Sequence, residues 1–141
     1  MRSPVAENRA LAIAGAGRVM GDSPAPAAEW GRPIASYQLV QEKIAKIYTA
    51  RSIMHALLMR QLEADHKGVP LSMAEASASK LYCARTTTEC ALDAVQIMGG
   101  AGYMTGSVVE MMARDAKLFQ IGGGTDEIQI LRIAREVLEK V

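Results

Sequence analysis

The sequence has few aromatic residues and almost no net charge. Of its 141 residues one is Phe and one is Trp, aromatic residues make up 4%, and the formal net charge is +1. Strand-rich domains usually draw more heavily on aromatic and β-branched side chains, so a core built from aliphatic residues and nine Met favours helices. A nearly neutral chain gives no electrostatic reason to expect a nucleic-acid partner.

The sequence also lacks long apolar runs and has only two cysteines. No stretch approaches the roughly 18 apolar residues of a membrane-spanning helix, and the apolar run over residues 11–16 is too short for a secretory signal. Cys83 and Cys90 fall in one predicted helix, which places their Cα atoms about 10 Å apart, too far for a disulfide. We therefore expect a reduced, cytoplasmic protein without a membrane span.

Apolar periodicity predicts one all-α domain. Residues 1–33 contain a glycine-weakened helix and a linker with Pro24, Pro26 and Pro33, and residues 34–141 form the main domain. Helices are predicted over 36–66, from 72 to the glycines at 99–102, over 108–119, and from 125 onward. The arrangement expected from these lengths is an antiparallel, up-down four-helix bundle.

Local signals and apolar faces accompany these helices. Ser72 and Glu75 have capping-box spacing, Glu110 and Arg114 have i,i+4 spacing, and Thr125 is the predicted N-cap of the last helix. The predicted core faces are Val40, Ile44, Ile47, Met54 and Leu58 on the first helix, with a second stripe at Leu39, Ile53 and Leu57; Ala78, Leu81, Thr88, Leu92 and Val95 on the second; and Ile128, Leu131, Ala134 and Leu138 on the last.

Three patterns resemble active sites, and each has a simpler interpretation. Gly15, Gly17 and Gly21 imitate a dinucleotide-binding turn, but no sustained helix or βαβ unit follows them. The Glu-x-x-His step at 63–66 would need a second such motif and further carboxylates to build a di-iron site, so a solvated helix end is favoured. His55 has mostly apolar neighbours in sequence and is interpreted as a packing residue.

The glycine breaks at 99–102 and 122–124 are more informative because both lie at helix ends. Glycine allows backbone amides to approach a flat or anionic ligand closely, and the free amides at the start of the last helix favour the same kind of ligand. We expect the bundle to bring the two junctions together along one nucleotide cleft. Ordinary helix stops remain the alternative.

Three blocks around these breaks resemble the carboxyl-terminal signature of acyl-CoA dehydrogenases. They are QIMGGAGY at 96–103, EMMARDAK at 110–117 and QIGGGTDEIQ at 120–129. Upstream, WGRPIASYQ at 30–38 and ASASKL at 76–81 are similar to further family motifs, whereas residues 5–29 match poorly. The resemblance implies a helical bundle that binds FAD and contributes to a dimer or tetramer.

The resemblance also implies a reaction and a set of contacts. In that family a carboxylate removes the α-proton of an acyl-CoA, the β-hydrogen passes as hydride to flavin, and an electron-transferring flavoprotein accepts the electrons. By residue match, Gln38, Gln96, Gly99 and Gly100 would contact the flavin of a neighbouring subunit. Thr125 and Glu127 would contact flavin in their own subunit, and Gly124 would lie against the substrate.

Three departures bear on activity. The position of the family's usual catalytic glutamate is Gly123, which has no carboxylate to remove a proton. Some branches carry the base in an E-R pair on the first helix, where Glu7 is the nearest carboxylate but is displaced by one residue, about 100° around a helix. The family's pyrophosphate-binding Arg corresponds to Ala27.

These features leave three functional hypotheses. The first is the carboxyl-terminal domain of an FAD-dependent oxidoreductase, inactive alone, and either cut from a longer protein or encoded separately as a partner of a chain that supplies the amino-terminal and middle domains. The second is a non-catalytic helical oligomerisation or partner module derived from the family. The third is an assembly domain that has lost its flavin contacts.

Overall fold

A computed structural model describes residues 28–29, 32–69 and 71–139. The predictions for Glu7, for Ala27 and for the glycine-rich turn at 15–21 lie outside these residues. Two short antiparallel strands, β1 (Ala28–Glu29) and β2 (Arg32–Pro33), pair within the predicted linker, and a 3-10 turn (Ile34–Ser36) leads into the first helix.

Four α-helices make up the rest of the described chain: α1 (Gln38–His66), α2 (Met73–Tyr103), α3 (Val108–Ile121) and α4 (Asp126–Leu138). The predicted all-α fold is confirmed. The Ser72–Glu75 capping box at the start of α2 is present, and Arg114 pairs with Glu110 on α3 as predicted. In the described residues no helix is long and apolar enough to cross a membrane.

Helix α2 is the centre of the fold, and its neighbours run antiparallel to it. Ion pairs from Lys43 to Asp93 and from Arg60 to Glu75 fix the register of α1 on α2. The Thr88 hydroxyl donates to the Ala116 carbonyl at 3.1 Å, so α3 lies along the carboxyl-terminal half of α2.

Helix α4 lies along the amino-terminal half of α2. There the Glu136 carboxylate accepts from the Ala74 amide at 2.6 Å. Helices α3 and α4 therefore follow one another along α2, and the glycine segment between them lies near the middle of that helix.

The core between α1 and α2 is small. Ile47, Ala50 and Met54 of α1 pack with Cys90 of α2, and Cys83 and Ile97 border this cluster. Both cysteines are free thiols, and burial raises the pKa of the Cys90 thiol. On α1 the predicted face is partly confirmed, because Ile47 and Met54 are buried whereas Ile44 is exposed.

The predicted apolar face is only partly confirmed on α2 and is wrong on α4. On α2, Leu81, Thr88 and Val95 are half-buried, whereas Ala78 and Leu92 are exposed. The buried face of α2 consists mainly of small residues rather than of Leu81 and Leu92; they are Ser77, Ala84, Thr87, Cys90, Ala91, Ala94 and Gly102. Small side chains occupy this face because three helices, α1, α3 and α4, pack closely against α2.

On α4 the predicted stripe of Ile128, Leu131, Ala134 and Leu138 is exposed, and the buried residues are Asp126 and Gln129. Polar side chains of α4 face α2 because they form hydrogen bonds there with backbone groups and with a charged side chain. His55 is also exposed rather than a packing residue.

Candidate functional site

The glycine segment between α3 and α4 is held from inside by two side chains. Gly123 and Gly124 have φ values of +67° and +94°, in the left-handed region that favours glycine. The Gln129 side-chain amide, from a residue only 2% exposed, donates to the Gly123 carbonyl at 3.2 Å and to the Gly124 carbonyl at 3.1 Å. The Lys80 ammonium donates to the same Gly124 carbonyl at 2.7 Å. We call residues 122–125 with these contacts the glycine loop.

A buried carboxylate at the start of α4 anchors the loop to α2. Asp126 is 7% exposed, and its Oδ2 accepts from Arg85 Nε at 2.9 Å. Its Oδ1 lies 4.0 Å from Lys80 Nζ. Burial lowers the pKa of Lys80, and the nearby Asp126 carboxylate opposes that shift. The anchor is therefore a network of two cations and one carboxylate beneath the glycine loop.

Thr125 and Glu127, both predicted flavin contacts, flank Asp126 at this helix start, where Thr125 is half-buried and Glu127 is exposed. Thr125 is the N-cap of α4 by position, as predicted, although its side chain makes no capping hydrogen bond to the backbone. Instead, a hydrogen bond with the Thr125 side chain lowers the pKa of the exposed Glu127 carboxyl. The amino-terminal end of a helix also favours a negative charge at this position.

Neither carboxylate next to the loop is placed as a free general base. Asp126 is turned inward and held by Arg85, and the lowered pKa of Glu127 makes it a weaker base. The backbone at Gly123 is itself in a conformation that would be strained for a glutamate. The structure therefore explains why this position suits glycine and shows no substitute base at the loop.

The second glycine junction lies at the carboxyl-terminal end of α2. Gly99 has φ +59° and ψ −141°, which are not helical values, so the regular helix ends here as predicted and a short helical segment to Tyr103 follows the kink. Gly99, Gly100 and Gln96 are exposed, and nothing lies within 4 Å of the Cβ position at either glycine. A flat ligand could approach the backbone here without steric conflict.

Gln38 belongs to the same end of the molecule. It is the first residue of α1 and is exposed. Because the antiparallel register pairs Lys43 with Asp93, Gln38 lies about five residues further along, opposite the stretch of α2 that contains Gln96 and the kink. The structure thus brings Gln38, Gln96, Gly99 and Gly100 to one end of the α1–α2 pair.

The expectation that both junctions line one cleft within a chain is wrong. Arg85, which holds the start of α4, precedes Gly99 by fourteen residues of α2, or about 21 Å at the α-helical rise. The reason is that α4 lies along the amino-terminal half of α2, whereas the kink is at its far end. A ligand that meets both groups would have to be long or would have to lie between two chains.

Sequence reasoning did not identify Lys80, Arg85 or Gln129 as site residues. Lys80 and Gln129 lie within the family-like blocks at 76–81 and 120–129, but nothing in their spacing indicates that they bind glycine carbonyls. The contact between Lys80 and Gly124 spans 44 residues. It depends on the packing of α4 against α2 and could not be predicted from a local pattern.

The Glu63–His66 pair lies exposed at the end of α1. Across the described parts of the chain, no three or more His, Cys, Asp or Glu side chains are grouped so that they could hold a metal ion.

Four packed α-helices and a glycine loop held against α2 describe the fold and the site, and comparison with known proteins identifies the family. Residues 7–138 match the family described as "Acyl-CoA dehydrogenase, C-terminal domain". The chain therefore belongs to the acyl-CoA dehydrogenase family and corresponds to its carboxyl-terminal domain.

Individual relatives agree with this assignment. The chain is 38% identical over 111 residues to the probable acyl-CoA dehydrogenase YngJ of Bacillus subtilis, a match covering 79% of this chain and 29% of that protein. It superimposes on an acyl-CoA dehydrogenase from Slackia heliotrinireducens with a TM-score of 0.85 at 29% identity, covering 96% of this chain and 36% of the other.

The FAD complex of PigA shares the fold at 23% identity with a TM-score of 0.83, covering 94% of this chain and 35% of that one. The chain spans less than a third of the length of the first curated relatives it matches.

Proposed function

We propose that this chain is the flavin-holding bundle of an acyl-CoA dehydrogenase-type oxidoreductase and that it acts together with the amino-terminal and middle domains of that fold. The observation that carries the proposal is the combination, at both glycine junctions, of a motif that matches the family with open space at the Cβ position. At Gly99, Gly100 and Gly123 nothing lies within 4 Å of the Cβ position, so a flat ring or a phosphate can approach the amides directly.

The two groups of residues would meet different parts of FAD. Thr125 and Glu127, beside the glycine loop, would contact flavin bound to their own chain, and Gly124 would lie against the acyl-CoA. Gln38, Gln96, Gly99 and Gly100 would contact the nucleotide of a second chain, which accords with the separation of about 21 Å along α2. The proposal therefore includes a dimer or tetramer, with an electron-transferring flavoprotein as acceptor.

The bound flavin would supply the hydride acceptor, and this chain would position it without taking the α-proton. With glycine at 123 and Asp126 held by Arg85, the loop has no carboxylate placed to abstract a proton. We expect the chain alone to turn over no acyl-CoA with an artificial electron acceptor. The two free cysteines accord with a reduced cytoplasmic location, which stays part of the proposal.

A flavin titration with a matched pair of glycine variants tests the proposal. Gly99 and Gly68 have similar φ values of +59° and +66°, and both have open space at the Cβ position. Gly99→Ala and Gly68→Ala both place a side chain on a positive-φ backbone, at a cost of about 1–3 kcal/mol that chemical denaturation measures for each variant. Only Gly99→Ala should weaken FAD binding, by about tenfold, because Gly68 lies in the α1–α2 connection, away from both junctions.

The titration is read from the visible spectrum of bound flavin, with the chain alone and with a supplied amino-terminal half of the enzyme. Equal losses of affinity in the two variants would show that the effect is strain and not contact. If neither preparation shows a spectral change at any FAD concentration, the flavin assignment is contradicted. The remaining hypothesis is then an assembly domain that has lost its flavin contacts.

The missing base favours a second candidate, a non-catalytic assembly module. Large apolar side chains on α4 are exposed, with Leu131 at 50% and Leu138 at 72%, as protein interfaces require. This candidate predicts self-association, or association with a partner subunit, that does not depend on FAD. Sedimentation of the chain with and without FAD separates the two, because flavin shared between chains would strengthen association.

A further inference from the structure

Lys80 makes an unusual contact for a largely buried cation. Its side chain is 17% exposed, yet its ammonium group donates at 2.7 Å to a backbone carbonyl, that of Gly124, while the nearest carboxylate oxygen, on Asp126, is 4.0 Å away. Asp126 does not depend on Lys80 for its charge partner, because Arg85 Nε donates to it at 2.9 Å. The closest interaction of Lys80 is therefore with the glycine loop.

This contact determines which way a peptide group faces. In a trans peptide the carbonyl and the following N–H point in opposite directions. Lys80 and Gln129 hold the Gly124 carbonyl toward the protein interior, so the Thr125 amide faces away from it. Gln129 also holds the Gly123 carbonyl toward the interior, so the Gly124 amide faces outward as well. Two successive amides are thereby presented on the outer side of the loop, where they can donate to a ligand.

Glycine at 124 makes the role of Lys80 necessary. Gly124 has φ +94° and no Cβ, so without side-chain contacts its backbone could adopt many other conformations. Gln129 alone shares one amide group between two carbonyls at 3.1 and 3.2 Å. The charge-assisted bond from Lys80 is shorter and acts on one peptide only.

We propose that Lys80 is a positioning residue of the cofactor site: by holding the Gly124 carbonyl, it orients the Thr125 and Gly124 amides toward the bound ligand without touching that ligand. The part of the proposal that concerns flavin rests on the proposed function. The part that concerns the loop does not, because it can be measured in the free chain.

The experiment compares Lys80→Met with Lys67→Met. Both replace a lysine by an unbranched apolar side chain, and Lys67 is an exposed C-cap residue of α1. Amide NMR spectra of the free chain report the glycine loop, circular dichroism reports helix content, and an FAD titration reports binding. We expect Lys80→Met to shift or broaden the Gly124 and Thr125 amide signals and to raise the Kd for FAD about tenfold at unchanged helix content. Lys67→Met should do neither.

A third variant provides the rescue. Lys80→Arg retains a charged donor, so it should restore the Gly124 and Thr125 signals and most of the FAD affinity. A purely structural role for Lys80 would instead appear as lost helix content with no selective change at the loop. If Lys80→Met does not fold, Lys80→Arg with wild-type loop signals still supports the proposal, and Lys80→Arg with disordered loop signals contradicts it.

The outcomes separate the two proposals. Unchanged Gly124 and Thr125 signals in folded Lys80→Met would overturn the positioning role whatever the chain does with FAD. Selective loop changes in a chain that binds no FAD would support the positioning role and count against the proposed function. Wild-type FAD affinity in a variant whose loop has moved would show that the loop amides are not part of the flavin site.

Discussion

The two glycine junctions of this chain differ in what holds them. At the carboxyl-terminal end of α2, Gly99 is exposed, kinked and surrounded by open space at its Cβ position. At the glycine loop, two carbonyls are bound by Gln129 and one of them also by Lys80, above the buried Asp126. The residue type is the same in both places. The difference lies in side chains contributed by other parts of the fold.

If both junctions meet flavin as proposed, they would contact it in different ways. A loop whose amides are fixed before binding loses little conformational entropy when a ligand arrives, which suits the part of a site that needs accurate placement. An open kink offers close approach with fewer restraints and suits a contact that completes a site from another chain. Substitutions at and around the two junctions can separate the effect of the glycines themselves from the effect of the side chains that hold them.

The largest loss of stability is expected from a substitution at Gly102, just beyond the kink at Gly99. A Cβ at this buried glycine would lie 2.8 Å from the Met98 Cβ and 2.9 Å from the Val95 carbonyl oxygen, and a backbone atom cannot move aside easily. We expect Gly102→Ala to lower the free energy of unfolding by about 3 kcal/mol, the upper end for overpacking. Chemical denaturation followed by circular dichroism measures it.

Gly100→Ala is the matched control. Its Cβ would meet nothing within 4 Å and its backbone is not in the left-handed region, so it should leave stability unchanged or raise it by up to about 1 kcal/mol. Equal destabilisation by both variants would show that the end of α2 requires glycine for flexibility and not for space.

A smaller, pH-dependent contribution to stability is expected from the ion pairs of Asp93, near the kink. Lys43 and Lys46 lie 3.2 and 3.1 Å from the Asp93 carboxylate oxygens. Burial alone would raise the pKa of Asp93, but its interactions with these two lysines outweigh it, so the pKa lies below its ordinary value. The resulting stabilisation is complete above the unfolded-state pKa and is lost as the pH falls through the folded-state pKa.

Asp93→Asn should therefore lower the free energy of unfolding by about 1–2 kcal/mol at pH 7. The difference from the wild-type chain should shrink below about pH 4. Denaturation curves at pH 7, 5 and 3 follow it. A difference that persists unchanged at pH 3 would mean that the substituted amide disturbs packing and that the charge contributes little.

The smallest change in the free energy of unfolding is expected from the residues that begin helices α2 and α4. Ser72 accepts from the Glu75 amide at 3.1 Å in the capping box of α2, whereas Thr125 makes no capping hydrogen bond at the start of α4. Ser72→Ala should lower the free energy of unfolding by about 1 kcal/mol, and Thr125→Ala by only a few tenths. Thr125→Ala should nevertheless weaken FAD binding. Comparable destabilisation by the two variants would show that Thr125 stabilises the start of α4 in another way.

Much of the fold was predictable because it depends on short-range signals. The capping box, the Glu110–Arg114 pair and the glycine stop near residue 99 all involve residues that are neighbours on one helix, and the structure confirms the first two. The end of α2 was less predictable. The backbone at Gly99 is not helical, which agrees with the predicted stop, but a further helical segment runs from there to Tyr103 after the kink.

The apolar face of α4 was predicted wrongly for a related reason. Periodicity measures which side of a helix is apolar, and Ile128 and Leu131 do lie on one side. Which side is buried depends on the neighbour. The side facing α2 carries Asp126, Gln129 and Glu136, whose hydrogen bonds to Arg85, to the glycine loop and to the Ala74 amide offset the cost of burial.

The sequence by itself determined the helices, their caps, the family and the two glycine junctions, because each of these is encoded in neighbouring residues or in a recognisable motif. Only the tertiary structure decided that the junctions lie at different points along α2 and that Lys80 and Gln129 hold one of them. The physical reason is that a hydrogen bond across 44 residues exists only once two helices have packed, and no local spacing encodes that packing.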